Sequence, residues 1–302
     1  MGYDMKKFLA TLFLLATTAN FSAPPLNRPS HLFPWKGSLQ GLCLASMMKP
    51  SIAGIYSAWH ENYYQLTSRC IVPFIDEQLQ KHGFKPAAVK LFLRQDPCIN
   101  ASATIGGNLV ITEGFANQIY QGLKNNPDPA TNPSLGEATI TLAHECGHLK
   151  GHHAAVRTLF SLVSIPTLWF AYNKLVSKGD EYMETKMRSM KEGKLKAALA
   201  YIKDAAAFTL PFLATWCTHK ILYLGLSRFQ EYQADTYAFS HAPSPLALCA
   251  DAAFFNSQNQ EWNYLSLLSH LWHATHPTPL SRANRALSYA QKMLKEQAAA
   301  AA

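Results

Sequence analysis

The chain has 302 residues, 48% of them hydrophobic and only 15% charged, with a formal net charge of +8. That length allows one large domain or two small ones, and the apolar fraction is enough for a packed core. The charged share falls below the usual quarter, so part of the surface is expected to face something other than water. The bases form no continuous stripe of the kind that tracks a phosphate backbone, which excludes nucleic acid as a partner.

The N-terminus reads as an export segment. A short basic start, "MGYDMKK", precedes the apolar run "FLATLFLLA", and "TTA" at 17–19 offers small residues for cleavage after Ala19. The alternative is an uncleaved anchor helix. Residues 1–23 are assigned to one or the other, and both bring the rest of the chain to a membrane or across it. A proline-rich linker follows over 24–50 and includes "PPLNRPSHLFPWKG".

The body of the protein is expected over 51–297. "SIAGIYSAWHENYYQLTSR" (51–69) has helical spacing, and "VPFIDEQLQKHG" (72–83) reads as a second helix ending at glycine. "AAVKLFLRQ" (87–95) alternates like a strand, and "TIGGNLVIT" (104–112) is a second strand carrying Gly106 and Gly107. "EGFANQIYQGLKNN" is a helix, and "NPDPATNPSLG" (126–136) is a loop by composition. A helical pattern resumes at Glu137 and runs through residue 148. After a long apolar and basic middle section come helices at 227–241, 245–256, 261–273 and 281–297, then an alanine tail at 298–302. No repeat is visible. The expected fold class is mainly α with a small β-sheet (α+β).

Six cysteines are present. Cys146 lies in a helical stretch and Cys217 in an apolar run, while Cys43, Cys70, Cys98 and Cys249 have a spacing that fixes no disulfide connectivity. Buried free thiols and bridges both remain open.

The chemistry is carried by "HECGH" at 144–148. On a helix, positions four apart share a face, so His144 and His148 can offer two imidazoles to one cation. Glu145 stays near that cation and can take a proton from a water activated there, which is the zinc metalloprotease arrangement. The apolar or small neighbours Ala138, Ile140, Leu142 and Ala143 suit a helix beside a core. His152 and His153, just beyond, read as surface histidines without a role. A hydrolytic zinc needs a third protein ligand and one open position. "SRFQEYQAD" at 227–235 supplies Glu231 and Asp235, again four apart. One carboxylate can bind zinc while the other accepts a hydrogen bond from a ligating imidazole.

The pairing of H-E-x-x-H with a later S-R-x-x-E-x-x-A-D resembles the membrane metalloproteases that include the CAAX prenyl proteases and the bacterial HtpX-type proteases. "NASATIGGNLVITEGF" (100–115), Glu137 and "HPTPLSR" (276–282) are similar to the family's strand, its recurrent acidic position and its late His-Pro segment followed by Arg. The resemblance covers residues 50–290 in the right order. It implies a zincin-like fold in which His144, His148 and Glu231 bind one zinc ion per chain and Glu145 is the base. It further implies that Asp235 supports a histidine, that His276 lies near the oxyanion, and that Arg282 orients an active-site carboxylate. The strand around "GGNLVIT" is expected to be an exposed edge that pairs with an extended substrate, the alternative being a plain core strand with a glycine bulge.

Between the two motifs, "TLFSLVSIPTLWFAYN" (158–173) and "AAAFTLPFLATWCT" (205–218) are apolar and uncharged. Both are short beside the roughly 20 residues of a spanning helix. HtpX-type relatives place a transmembrane hairpin here, and His219 and Lys220 interrupt the second run. The hairpin is assigned to 155–226, either spanning the membrane or lying as core or membrane-surface helices. The connecting loop, 174–203, holds eight Lys/Arg (positions 174, 178, 186, 188, 191, 194, 196 and 203). The positive-inside rule then puts the loop in the cytoplasm and both catalytic segments outside, the side that the N-terminus also indicates.

These readings converge on an exported, membrane-associated zinc endopeptidase of the bacterial envelope, facing the periplasm and acting on misfolded or envelope polypeptides. Soluble periplasmic and cytoplasm-facing arrangements are the alternatives for its location. The alternative function is a latent or chaperone-like binding protein in which a side chain from "HATHPTP" (273–279), His273 or His276, plugs the zinc site.

Overall fold

The computed structural model describes Met48 and residues 64–66, 68–258 and 276–301. The expected leader, most of the linker and the expected helix at 261–273 lie outside the described residues. So does His273. The chain divides into two compact units, one of residues 1–53 and 159–222, the other of 54–158 and 223–302.

The second unit is built around a mixed four-stranded sheet in the order β1-β2-β4-β3. Strands β1 (Tyr64–Gln65) and β2 (Leu91–Arg94) pair antiparallel, β2 and β4 (Leu109–Thr112) pair parallel, and β3 (Ala101–Ala103) closes the edge antiparallel to β4. Helix α1 (Ile71–Lys81) and helix α2 (Glu113–Asn125) pack on the sheet. All four β4 residues are buried, as expected of a strand with neighbours on both sides and a covered face.

Several expectations need correction here. Tyr64 and Gln65, placed in a helix by the spacing of 51–69, belong to a strand, since their partners on β2 are close enough to form a ladder. The second strand is shorter than 104–112 because residues 104–108 form the turn that joins β3 to β4, with Thr104 accepting from Gly107 N–H at 3.0 Å. Strand β4 therefore lies inside the sheet. Among the described residues the outer strands are β1 and β3, and β3 lies a few residues upstream of the glycines.

Helix α3 (Pro133–Lys150) begins inside the segment that composition assigns to a loop. Asn132 explains the difference. Its side-chain oxygen caps Leu135 N–H at 3.3 Å, while its amide nitrogen donates to the carbonyls of Gly122 and Asn126 at 3.0 and 2.7 Å. Pro133, at the first helical position, gives up a hydrogen bond that is unused there. From Leu135 to Leu149 nearly every α3 residue is buried, because α3 has core on two sides. One cluster joins it to the sheet, α1 and α2, and the other joins it to Ala238 and Phe239 and to α6 (Pro245–Ser257) and α7 (Pro279–Ala301).

Residues 159–222 of helices α4 (His153–Arg188) and α5 (Lys194–Ser240) belong to the first unit. The two apolar runs are embedded in helices of 36 and 47 residues, so the shortness of the runs does not limit the helices. The connecting segment 174–203 is also mostly helical, with its turn confined to 189–193. Within this unit Ile165 and Trp169 pack with Met48, Leu162 and Phe212. Ser164 Oγ meets His219 Nδ1 at 2.9 Å, and the Tyr172 hydroxyl meets Thr218 at 2.8 Å. His219, which interrupts the apolar run in sequence, is thus paired with the neighbouring helix. Both helices are long and apolar enough to cross a membrane, and only 17% and 12% of their apolar windows are buried. Among the described residues Cys70, Cys98, Cys146, Cys217 and Cys249 are free thiols.

Candidate metal centre

Helix α3 carries the central residues. His144, Glu145 and His148 are buried at 7, 7 and 6% exposure. Their helix is approached closely by α5 at Gly147, where an added Cβ would lie 3.0 Å from Ala234 Cα. A side chain there would push α5 back, so the glycine between the two histidines lets a carboxylate of α5 reach them. That carboxylate is Glu231, 1% exposed.

The side chains converge on one point. His144 Nε2 and His148 Nε2 are 3.0 Å apart, Glu231 Oε2 is 3.4 Å from the first, and Glu231 Oε1 is 3.3 Å from the second. One ligand atom from each residue can be chosen so that all lie within 4.8 Å of one another. A tetrahedral zinc with bonds of about 2.0–2.1 Å separates its ligand atoms by roughly 3.3–3.4 Å, so this donor set fits zinc in both chemistry and spacing. Two imidazole nitrogens facing each other across 3.0 Å also need a cation or a proton between them.

Electrostatics agree. Burial works to lower the His144 imidazole, but its bonds to Asp235 and Glu231 overcome this and raise it to about 9. Burial works to raise the Glu231 carboxyl, and the imidazoles of His144, His148 and His276 hold it far below the usual carboxylate range.

Glu145 points elsewhere. Its Oε2 accepts the backbone N–H of Ala103 at 2.6 Å, which ties it to the edge strand β3. Asp235, one helical turn beyond Glu231, is fully buried and is contacted by three side chains. His144 Nδ1 lies 2.9 Å from Oδ1, Arg282 donates at 2.6 and 3.1 Å, and Arg285 lies at 3.4 Å. Burial works to raise the Asp235 carboxyl, but His144 and Arg282 hold it below its ordinary value. The guanidinium of Arg282 also stacks on Phe255 of α6 at 4.2 Å. His276 Nδ1 is 2.7 Å from Glu231 Oε2, on the ligand carboxylate itself, while most of its ring stays exposed. Glu137 lies two turns before His144 on α3, and burial raises its carboxyl.

Four neighbours of the centre carry no signal in the sequence reading. His153 is buried, not a surface histidine, and its Nδ1 lies 2.8 Å from His148 Nδ1. Arg157 reaches Ser227 at 3.2 Å and Glu231 Oε1 at 3.5 Å. Arg285 follows Arg282 by one turn, and that spacing could have announced it. Asp251 of α6 is buried, and burial pushes its carboxyl up to about 7 in the neighbourhood of Arg282, Asp235 and Glu137.

The sequence model of peptidase family M48 matches residues 68–290. No curated protein matches the chain.

Proposed function

The chain belongs to peptidase family M48, and from that premise we propose that it is a zinc-dependent endopeptidase of the cell envelope that cleaves misfolded or membrane-associated polypeptides. The observation that carries the reading is the buried His144, His148 and Glu231 group, whose ligand atoms lie within 4.8 Å of one another. These three residues would hold one zinc ion, which when bound supplies a Lewis acid for water and for the scissile carbonyl.

Glu145 is the base. It takes the proton of the attacking water and passes it to the leaving amine, and the Ala103 N–H keeps its carboxylate beside the edge strand until then. Strand β3 receives the substrate. Among the described residues its outer edge faces no other strand, and an extended peptide laid along it runs past Glu145. Asp235 accepts the Nδ1–H of His144 and so presents Nε2 to the metal. Arg282 holds Asp235 through two hydrogen bonds. His276 turns toward the oxyanion once it leaves Glu231.

The domain assignment follows: a leader or anchor at 1–23, a linker at 24–50, the peptidase over 51–297 with the apolar hairpin at 155–226 inserted in it, and a tail at 298–302. The exposed apolar faces of α4 and α5 support membrane association. The basic residues around the 189–193 turn support a cytoplasmic hairpin tip, with the metal centre on the periplasmic side.

A second reading is favoured by the 2.7 Å contact of His276 with Glu231. A ring in that place obstructs the site, and the protein would then be latent or would bind polypeptides without cutting them. Purified native chain and Glu145→Gln separate the readings. The peptidase reading expects one zinc in each and casein turnover in the native chain alone. Zinc in both with turnover in neither selects the latent form, and no zinc in the native chain sinks the metallopeptidase reading.

A further inference from the structure

Each ligating histidine needs a partner for its second ring nitrogen, because a ring bound through Nε2 carries its hydrogen on Nδ1. His144 uses the carboxylate of Asp235. His148 has no carboxylate in that place. Its Nδ1 faces His153 Nδ1 at 2.8 Å, with the rings edge to face at 4.9 Å and 81°.

The backbone shows how His153 gets there. Helix α3 stops at Lys150 and α4 starts at His153, so only Gly151 and His152 turn the chain. Gly151 N–H returns to Gly147 at 3.0 Å, and His152 adopts a φ of +49°, a left-handed conformation that a non-glycine residue rarely accepts. The turn folds His153 back over Gly151 so tightly that a Cβ on the glycine would collide with the imidazole ring. The ring is left 5% exposed. One turn further along α4, Arg157 reaches Ser227 and Glu231 on α5. The first two turns of α4 therefore touch two of the three candidate ligands.

We propose that His153 is a positioning residue of the metal centre: its Nδ1 accepts the Nδ1–H of His148 and fixes the tautomer and ring plane with which His148 presents Nε2 to zinc. The Gly151–His152 turn serves that placement. The inference rests on His148 being a zinc ligand, and it extends that reading to a residue outside the H-E-x-x-H motif.

The test is zinc affinity of the full chain, measured by competition with a chromophoric chelator, beside the melting temperature of the zinc-free protein. His153→Leu keeps bulk but removes the acceptor, and should weaken zinc binding about 10- to 100-fold. His153→Asn restores an acceptor near the Nδ1 position and should recover most of that loss. Gly151→Ala keeps His153 but displaces its ring, and should weaken binding in the same direction. The inference is overturned if His153→Leu binds zinc as the native chain does. It is also overturned if Asn rescues nothing, or if the loss only follows a lowered melting temperature. A native chain that binds no zinc would instead remove His148 as a ligand, and the proposed function with it.

Discussion

The two units invert each other's rules. In the unit holding the candidate metal centre, the buried residues include His144, Glu145, His148, Glu231 and Asp235. In the other, large apolar side chains are on the outside: Phe170 is 71% exposed, Leu159 63%, Leu175 61% and Leu210 53%. Buried charge is costly unless it is paired, and exposed apolar area is costly in water. The unit with the candidate metal centre meets its cost with partners, as Asp235 shows with one imidazole and two guanidinium groups. The unit with the apolar helices meets its cost only if its surroundings are not water. The same chain thus places polar groups inside where chemistry needs them, and apolar groups outside where lipid would receive them.

The sharpest break in this comparison is catalytic. Glu145→Gln preserves the shape of the side chain and its place beside Ala103 but removes the proposed base. Peptide turnover should fall by about 10²–10⁴ with zinc content unchanged, read by proteolysis beside metal analysis. Next is the pairing that lets Asp235 stay buried. Asp235→Ala strands two guanidinium groups and an imidazole, and should cost about 3–5 kcal/mol by urea unfolding. If it costs nothing, the buried charges are less dependent on one another than their distances indicate.

The hairpin is tested by adding charge to its outside. Phe170→Lys touches no core, so in water it should shift stability within about 0.5 kcal/mol. In a bilayer the same change should cost about 2.5–3.5 kcal/mol, measured as lost membrane insertion. Equal behaviour of native and variant chains in flotation would show that this face does not meet lipid.

The smallest effect sharpens the comparison at a buried polar site away from the candidate metal centre. His82 is buried, its Nδ1 lies 3.1 Å from the Tyr237 hydroxyl, and burial, then His241, Lys150 and Lys81, lower it to about 4. In the unfolded chain it titrates near 6.5. Between those values the unfolded state binds more protons, so its contribution is intact above pH 6.5 and is lost as pH falls toward 4. The melting temperature should drop between pH 7 and pH 5, and less so in His82→Leu.

Local pattern determined much of this protein. Two histidines four apart, and Glu231 and Asp235 four apart, depend only on helical periodicity, and both helices formed where that period indicates. The apolar hairpin was visible as composition. Short-range chemistry misled where a capping contact lay far along the chain: the loop expected before Glu137 became helix because Asn132 caps it and binds the end of α2. The edge strand was misplaced by a few residues, because only the ladder decides which strand lacks a neighbour. What tertiary structure alone decided is the company each group keeps. His153 and Glu231 lie on helices that no local spacing relates to His148, and they meet it because a two-residue turn and the bare Gly147 bring three helices together. Periodicity places a residue on a face; only packing determines what that face touches.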